Sequence, residues 1–453
     1  MRKNILSVLF LCFVLTAAVQ AAPDKSALLS MLQKHRFQEL EKELAQQHEA
    51  LVHRRIKERE LFVAYSVFNN SDPALESDLD LWNDQTRNSA PARLALGIYH
   101  FHLGWLSRGS RWAKDTTSGQ FAKMHAHFRV AKEALLQVIS MEPDNPVAYT
   151  YLLHLLNADG SKQALERYYE QAVKDNPLSV GVRKAYLTSL EPKWGGSLSA
   201  IESFLKANEN LEHKEADFKQ LRDYPDYVKG DMLLHGGGEH ACEEALSYFD
   251  RAVARHDTPA YRIGRAKAYV CLKNYRRAAD DYSHLLSLYP DDGQYLDARG
   301  RAYYKLGDYP SALKDLDGAV RFDRMDPDAL LHRAQVYYAT KAMDEAYRDL
   351  SDALTYGYRK SAVHLYLGYI DYYDRKNYRS AAEELQKAID LGHKGSFACY
   401  LTAAAQWHER DCRFVQNAHR YAQRCKAAND CREKELDWAL KSANYAVDRG
   451  ICK

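Results

Sequence analysis

The chain has 453 residues, 46% of them apolar and 27% charged, with a formal net charge of +2. That balance gives enough apolar surface to bury and no general basic footprint, which argues against wholesale disorder and against a general nucleic-acid binder. Glycine and proline are modest and no Val/Ile alternation at period two recurs, so helices are favoured over strands.

Residues 1–21 read as an export signal. Arg2 and Lys3 precede an apolar run from Ile5 to Ala18, and Val19-Gln20-Ala21 supplies small residues at the −3 and −1 positions of a cleavage site between Ala21 and Ala22. The run is short and wrongly flanked for a comfortable membrane anchor. Cleavage would remove two positive charges and leave 61 basic and 61 acidic residues, a mature chain of zero net charge.

Residues 22–224 are expected to form a helical N-terminal domain of degenerate hairpins. Pro143 and Pro177, 34 residues apart, each end a helical stretch, so residues 144–177 read as one hairpin. The stretch from Ala95-Leu96-Gly97 to Pro143 reads as another, opened by an insertion near residues 104–125 that holds Trp105, the run Arg108-Gly109-Ser110-Arg111-Trp112 and Phe121. Trp194-Gly195-Gly196 follows a further helix. With its Arg-Gly insertion and Trp-Gly-Gly turn, this half resembles an uncharacterised bacterial domain found in exported repeat proteins, a resemblance that implies context and no particular chemistry.

Residues 225–395 carry the clearest periodicity. The segments 262–285 (RIGRAKAYVCLKNYRRAADDYSHL), 296–319 (LDARGRAYYKLGDYPSALKDLDGA) and 330–353 (LLHRAQVYYATKAMDEAYRDLSDA) align at a step of 34. Four columns hold it: Tyr269/Tyr303/Tyr337, Tyr275/Tyr309/Met343, Ala278/Ala312/Ala346 and Tyr282/Leu316/Leu350. Small residues at Ala266, Gly300 and Ala334 let paired helices approach, and turn signals fall at Asn274, Gly307-Asp308 and Lys341-Ala342. Weaker copies flank these: Asp226 to Asp257 keeps Ala245, Phe249 and Ala252 around a Gly236-Gly237-Gly238 turn, and Ser361 to Gly395 keeps Leu367-Gly368 with one extra residue before Ala381 or Ala382. These columns resemble the tetratricopeptide repeat (TPR) family. The resemblance implies an all-α, right-handed α-solenoid of antiparallel hairpins, with helical caps at both ends and the first helix of each hairpin lining a concave groove.

That register picks out groove positions. One column is Lys267, Arg301, Gln335 and Tyr369; another is Val270, Tyr304, Tyr338 and Tyr372, with Lys305 beside Tyr304. The face is basic upstream and tyrosine-rich downstream, suited to a protein or peptide partner with an acidic end. The competing reading packs some of these tyrosines between helices.

Residues 396–453 are expected to be a cysteine-rich helical cap. In an exported protein its thiols would oxidise. Hairpin geometry pairs Cys242 with Cys271, at the facing ends of antiparallel helices. The same argument pairs Cys399 with Cys425 and Cys412 with Cys452, leaving Cys431 over; Cys425–Cys431 competes, being separated only by a short turn. The spacings lack the C-x-x-C pairs of zinc ribbons, so no metal is expected.

Candidate chemistry is thin. His235-Gly236-Gly237-Gly238 could offer amides to an oxyanion, but no G-x-S-x-G turn accompanies it and a plain interhelical turn is expected. His100, His102, His125 and His127 support an alternative reading as a metal-binding or enzymatic accessory, but residues two apart on a helix diverge and no H-E-x-x-H occurs. No enzyme activity and no cofactor are expected, and no membrane span in the mature chain.

Overall fold

A computed structural model describes residues 24–108, 116–356, 358, 360–428 and 431–452. The expected signal (1–21) and part of the expected insertion, including Trp112, lie outside the described residues. The described chain is all helical and divides into two compact units.

The first unit takes the chain up to Asn69 and then Pro73–Phe218. Its helices are α1 (Lys25–Gln33), α2 (Phe37–Val52), α3 (Glu58–Tyr65), α4 (Pro73–Gln85), α5 (Ala90–Arg108), α6 (Ser118–Met141), α7 (Pro146–Ala158), α8 (Lys162–Asp175), α9 (Val180–Ser189) and α10 (Leu198–Asn208). One core runs through it, with Trp82, Tyr65, Tyr99 and Tyr149 fully buried. On either side of residues 109–115 the arms of the hairpin are long: α5 has 19 residues and α6 has 24. The long arms cross closely at Gly104, where a Cβ would stand 2.4 Å from the Phe128 ring.

The second unit takes residues 70–72 and everything from Lys219. It therefore starts a few residues before the expected boundary at 224/225. Residues 219–223 are tied to the helices downstream of them: the Tyr261 hydroxyl donates to the Gln220 carbonyl (2.5 Å), and Asp223 accepts from Arg255 (3.0 Å) and His256 (2.5 Å). The helices are α11 (Tyr224–Gly236), α12 (Glu239–Arg255), α13 (Pro259–Cys271), α14 (Tyr275–Leu288), α15 (Gly293–Leu306), α16 (Tyr309–Phe322), α17 (Pro327–Ala339), α18 (Met343–Thr355), α19 (Ser361–Tyr373), α20 (Tyr378–Asp390), α21 (Ser396–His408), α22 (Arg413–Ala428) and α23 (Glu433–Asp448). Each helix packs on its successor, and first helices of successive hairpins also touch (α11 on α13, α15 on α17, α17 on α19, α19 on α21). This ladder of hairpins is an α-solenoid, and the segment from 396 onward continues it rather than standing apart.

The period is written into the helix ends as well as the core. Asp292 and Asp326 cap α15 and α17 by accepting from backbone amides, and Asn274, Asp308 and Asn377 cap α14, α16 and α20. One left-handed residue closes each hairpin turn: Lys273, Gly307, Lys341, Lys376 and Arg410. The step lengthens by one residue only between Lys341 and Lys376, in the repeat whose sequence carries one extra residue. Only Gly307 adopts that conformation without Cβ strain. Between helices, Ala278, Ala312, Ala346, Leu316 and Leu350 are fully buried.

Among the described residues, no helix is long and apolar enough to cross a membrane.

Candidate functional site: the tyrosine-lined face of the first helices

The hairpins are locked by a charged ladder that leaves the first helices' other face uncommitted. Arg265, Arg299 and Arg333 stand 34 apart on α13, α15 and α17. Each makes a two-pronged hydrogen bond to a buried aspartate on the second helix of its own hairpin: Arg265 to Asp281 (2.9 and 2.6 Å), Arg299 to Asp315 (2.7 and 2.8 Å), Arg333 to Asp349 (2.8 and 2.8 Å). The third nitrogen reaches back to the preceding hairpin, to Asp250 (3.3 Å), Ser283 (3.1 Å) and Asp317 (2.9 Å). Each guanidinium lies near the tyrosine one turn on, Tyr269, Tyr303 or Tyr337, at about 6 Å. Hydrogen bonding to Asp281 and Asp315 holds the Arg265 and Arg299 guanidiniums even more firmly protonated than usual. The fixed fork of arginine suits this geometry and a lysine would not replace it.

The expected groove residues fall on the adjacent face. Lys267 and Lys305 are exposed, and Arg301 is exposed with Asp297 3.9 Å away. Gln335, Tyr304, Tyr338 and Tyr369 are half-buried. The structure brings Tyr338, Tyr366 and Tyr369 together: Tyr338 lies 5.2 Å from Tyr366 and 6.3 Å from Tyr369, ring to ring, and Tyr304 is near enough to act electrostatically on Tyr366. Tyr304 is on α15 and Tyr366 on α19, two hairpins apart. Burial, then neighbouring hydroxyls, push the Tyr369 phenol up to about 12 and raise Tyr366 further, while burial raises Tyr338. These groups stay protonated at neutral pH and can donate to a ligand.

The geometry corrects the expected cluster in two places. Tyr372 does not join it: it is half-buried against Tyr378 (5.5 Å) and His408 (6.4 Å), packed over Ala381 and Ala405 between hairpins. Its place is taken by Tyr366, which the 34-residue columns missed but which lies one turn before Tyr369 on the same helix face. Arg432, just before α23, was also missed. Its guanidinium sits 4.1 Å over the Phe397 ring and acts electrostatically on Tyr369 and Tyr373, adding a cation at the downstream edge. Lys305 over Tyr304 (5.3 Å) and Lys341 over Tyr338 (5.8 Å) bring further positive charge to the tyrosines.

The cysteines form three bonds, Cys242–Cys271, Cys412–Cys452 and Cys425–Cys431, and Cys399 is a buried free thiol. The expected Cys399–Cys425 bond is not made. Cys431 pairs with Cys425 at the end of α22, their Cα atoms 4.6 Å apart, while Cys399 faces the Arg424 guanidinium at 3.6 Å. The Cys425–Cys431 bond fixes the residue next to Arg432 against the end of α22.

The histidines are not gathered. His100 and His127 meet through their Nδ1 atoms at 3.1 Å, but His125 pairs with Asp159 (3.1 Å). Burial lowers His100 to about 4 and lowers His127 too, so the pair is neutral at pH 7 and one imidazole simply donates to the other. Among the described residues no three metal-binding side chains converge. The His235–Gly238 run is the turn joining α11 to α12, with Gly237 and Gly238 at φ +78° and +98°.

No curated protein sequence matches the chain. Among solved structures, PilF of Pseudomonas aeruginosa is 15% identical over 48% of this chain and 97% of its own, with a TM-score of 0.42. A TPR protein of Thermus thermophilus is 19% identical over 41% and 99%, at 0.35. MamA from Desulfovibrio magneticus RS-1 is 21% identical over 36% and 90%, at 0.32. Residues 25–172 match the family described as "Domain of unknown function (DUF4034)", and residues 300–341 match the TPR repeat.

Proposed function

We propose that the protein is an exported scaffold that binds a protein or peptide along the concave face of its first helices, without chemistry of its own. TPR-like folds are in general protein–protein interaction scaffolds. The observation that carries the reading is the cluster of Tyr338, Tyr366 and Tyr369 on two successive first helices, with Tyr304 of the preceding first helix beside it. Half-buried tyrosines offer broad contact area and a donor tip, as recognition surfaces do. Lys267, Arg301 and Lys305 give the upstream end a positive charge that an acidic partner segment would meet. Export is supported by the sequence of residues 1–21 and by three cysteine pairs within bonding distance.

The test is crosslinking in the native host followed by pull-down with the mature protein, its Lys267→Glu/Arg301→Glu variant and its Tyr338→Ala/Tyr369→Ala variant. The charge reversal is expected to weaken capture in a salt-dependent way. Loss of the two rings should weaken it by about 2 kcal/mol or more, the scale of buried aromatic anchors. Equal recovery of partners by all three proteins would refute the groove assignment. An N-terminus beginning at Met1 in the protein recovered from the host would refute cleavage at Ala21.

A further inference from the structure

The aromatic face continues past the tyrosine cluster. Tyr373, 45% exposed, lies one turn beyond Tyr369 on α19 and within electrostatic reach of Tyr338; it acts in the same way on Tyr400. Tyr400 on α21 in turn packs against Trp438 on α23, ring centroids 5.5 Å apart. The successive first helices α17, α19 and α21, and then α23, thus each bring a tyrosine or tryptophan to one track. Its rings stand steeply to one another: 71° between Tyr338 and Tyr366, 73° between Tyr366 and Tyr369, and 83° between Tyr400 and Trp438. Edge-to-face rings make ridges with apolar slots between them, not a flat platform.

The polar atoms on this track donate. The hydroxyls of Tyr338 and Tyr369 and the Trp438 indole N–H have no hydrogen-bond partner among the described residues, and none of the three is enclosed. Glu435, the carboxylate that acts on Tyr373, is already turned to Arg432 at 3.9 Å. Such a face suits a ligand rich in carbonyl acceptors and poor in N–H groups, since a buried N–H without an acceptor is costly. Proline residues carry no N–H. The spacing agrees. Touching helices lie about 8–10 Å apart, and a polyproline II chain advances about 9 Å per three-residue turn. One turn of that chain therefore spans one step of the array and presents the same edge to each first helix.

We propose, resting on the groove reading above, that the bound segment of the partner is a proline-rich stretch in the polyproline II conformation. Its pyrrolidine rings seat between Tyr338, Tyr369, Tyr373 and Tyr400, and its carbonyls accept from the phenol hydroxyls. A chain of this kind is stiff before it binds, so ordering it costs little. Acidic residues flanking it meet Lys267 and Arg301 at the upstream end.

The experiment is calorimetric titration of the whole mature chain with three acetylated peptide amides: nonaproline, a Gly-Ser-Ala nonapeptide and a Gly-Ser-Glu nonapeptide. Nonaproline is expected to bind saturably, at least tenfold more tightly than the Gly-Ser-Ala peptide, and with little dependence on salt because it carries no charge. Tyr338→Phe and Tyr369→Phe keep the rings and remove the hydroxyls, and each should weaken nonaproline about three- to tenfold. Tyr338→Ala should weaken it more than tenfold. Circular dichroism checks that the variants stay folded, and the two phenylalanine variants leave the packing of the rings in place. No saturable heat with nonaproline, equal affinity for the Gly-Ser-Ala peptide, or unchanged affinity in all three tyrosine variants would overturn the proposal. If the Gly-Ser-Glu peptide binds through Lys267 and Arg301 while nonaproline does not bind, the polyproline assignment falls and the groove reading stands. The groove reading itself falls on equal partner recovery in the crosslinking assay, whatever nonaproline does.

Discussion

The Arg–Asp ladder makes a quantitative claim that Arg333 can test. Its guanidinium forks onto Asp349 at 2.8 and 2.8 Å, touches Asp317 at 2.9 Å, and keeps 19% of its side-chain surface exposed against 6% for Asp349. Replacing it with methionine keeps the aliphatic packing but leaves a buried carboxylate unpaired. Breaking a buried pair from one side costs about 3–5 kcal/mol, and the partial exposure of the arginine places this case near 3. Asp349→Leu should cost less, about 1–2 kcal/mol, because Arg333 retains Asp317. The double variant replaces ions with apolar groups of similar size and should recover much of the loss, giving a coupling energy of about 2 kcal/mol. Urea unfolding followed by circular dichroism measures all four proteins. The damage should stay largely within the hairpins around α17 and α18, because a solenoid couples mainly nearest neighbours; hydrogen exchange would show it. An Arg333→Met cost under about 1 kcal/mol, or a coupling under about 0.5 kcal/mol, would refute the view that the ladder holds adjacent hairpins together.

Other consequences are as direct. Lys341 closes its turn at φ +67°, where glycine has no Cβ penalty, so Lys341→Gly should stabilise the protein by a few tenths to about 1 kcal/mol in the same assay. Peptide mapping without reduction should recover Cys425 joined to Cys431 and a single alkylatable cysteine, Cys399; a Cys399–Cys425 peptide would contradict the arrangement at the end of α22. The Cys412–Cys452 bond closes a loop of 40 residues, so Cys452→Ser should cost up to roughly 4 kcal/mol and free α23 to exchange. Asp326 is held near 7 by burial and by the charges of Asp297, Asp323 and Asp328. A carboxyl raised in the folded state binds its proton more tightly there than in the unfolded chain. It therefore costs stability as pH rises from about 4 to about 7, by a few kcal/mol at most. Asp326→Asn keeps a capping side chain and should flatten that decline, which melting curves across this range would show.

The parts of the fold legible in the sequence were those fixed by local rules. Small residues at Ala278, Ala312 and Ala346 and cap residues at Asn274 and Asp308 act through one turn of backbone, and a 34-residue column preserves them. The Arg–Asp ladder was equally periodic, at Arg265/Arg299/Arg333 and Asp281/Asp315/Asp349, but mixed charges at half-exposed helix positions look like solvated surface until the partner helix is placed. The end of the array broke the register twice. One extra residue shifts the acidic column to Glu384, and the arginine gives way to Leu367, so the hairpin of α19 and α20 is joined instead by His364 to Glu384 at 2.6 Å. Tyr366 escaped notice because neither of the two columns included the position one turn before Tyr369, which shares its helix face. Arg432 and the Cys425–Cys431 bond lie beyond the last hairpin, where no repeat copy specifies a register.

The division of labour between the two helix faces follows from these placements. In an ordinary apolar hairpin, the first helix must bury whatever large side chains it carries, and tyrosines there become packing. Here the forked arginines and the alanine columns already satisfy the interface between α13 and α18, leaving Tyr304, Tyr338, Tyr366 and Tyr369 half-buried on the side away from it. The ladder ends with Arg333, and the tyrosines are densest just beyond, on α17 and α19. From α19 onward cohesion comes from different sources: the His364–Glu384 pair, the stack of Tyr378 on His408 at 4.1 Å, and two disulfides in the last helices. Weakening the ladder should therefore loosen the upstream, basic half of the proposed groove and leave the tyrosine end in place. In the crosslinking assay, Arg299→Met should erode the salt-dependent part of partner capture more than the part that depends on Tyr369. The reverse order would mean that the ladder serves stability alone and does not shape the groove.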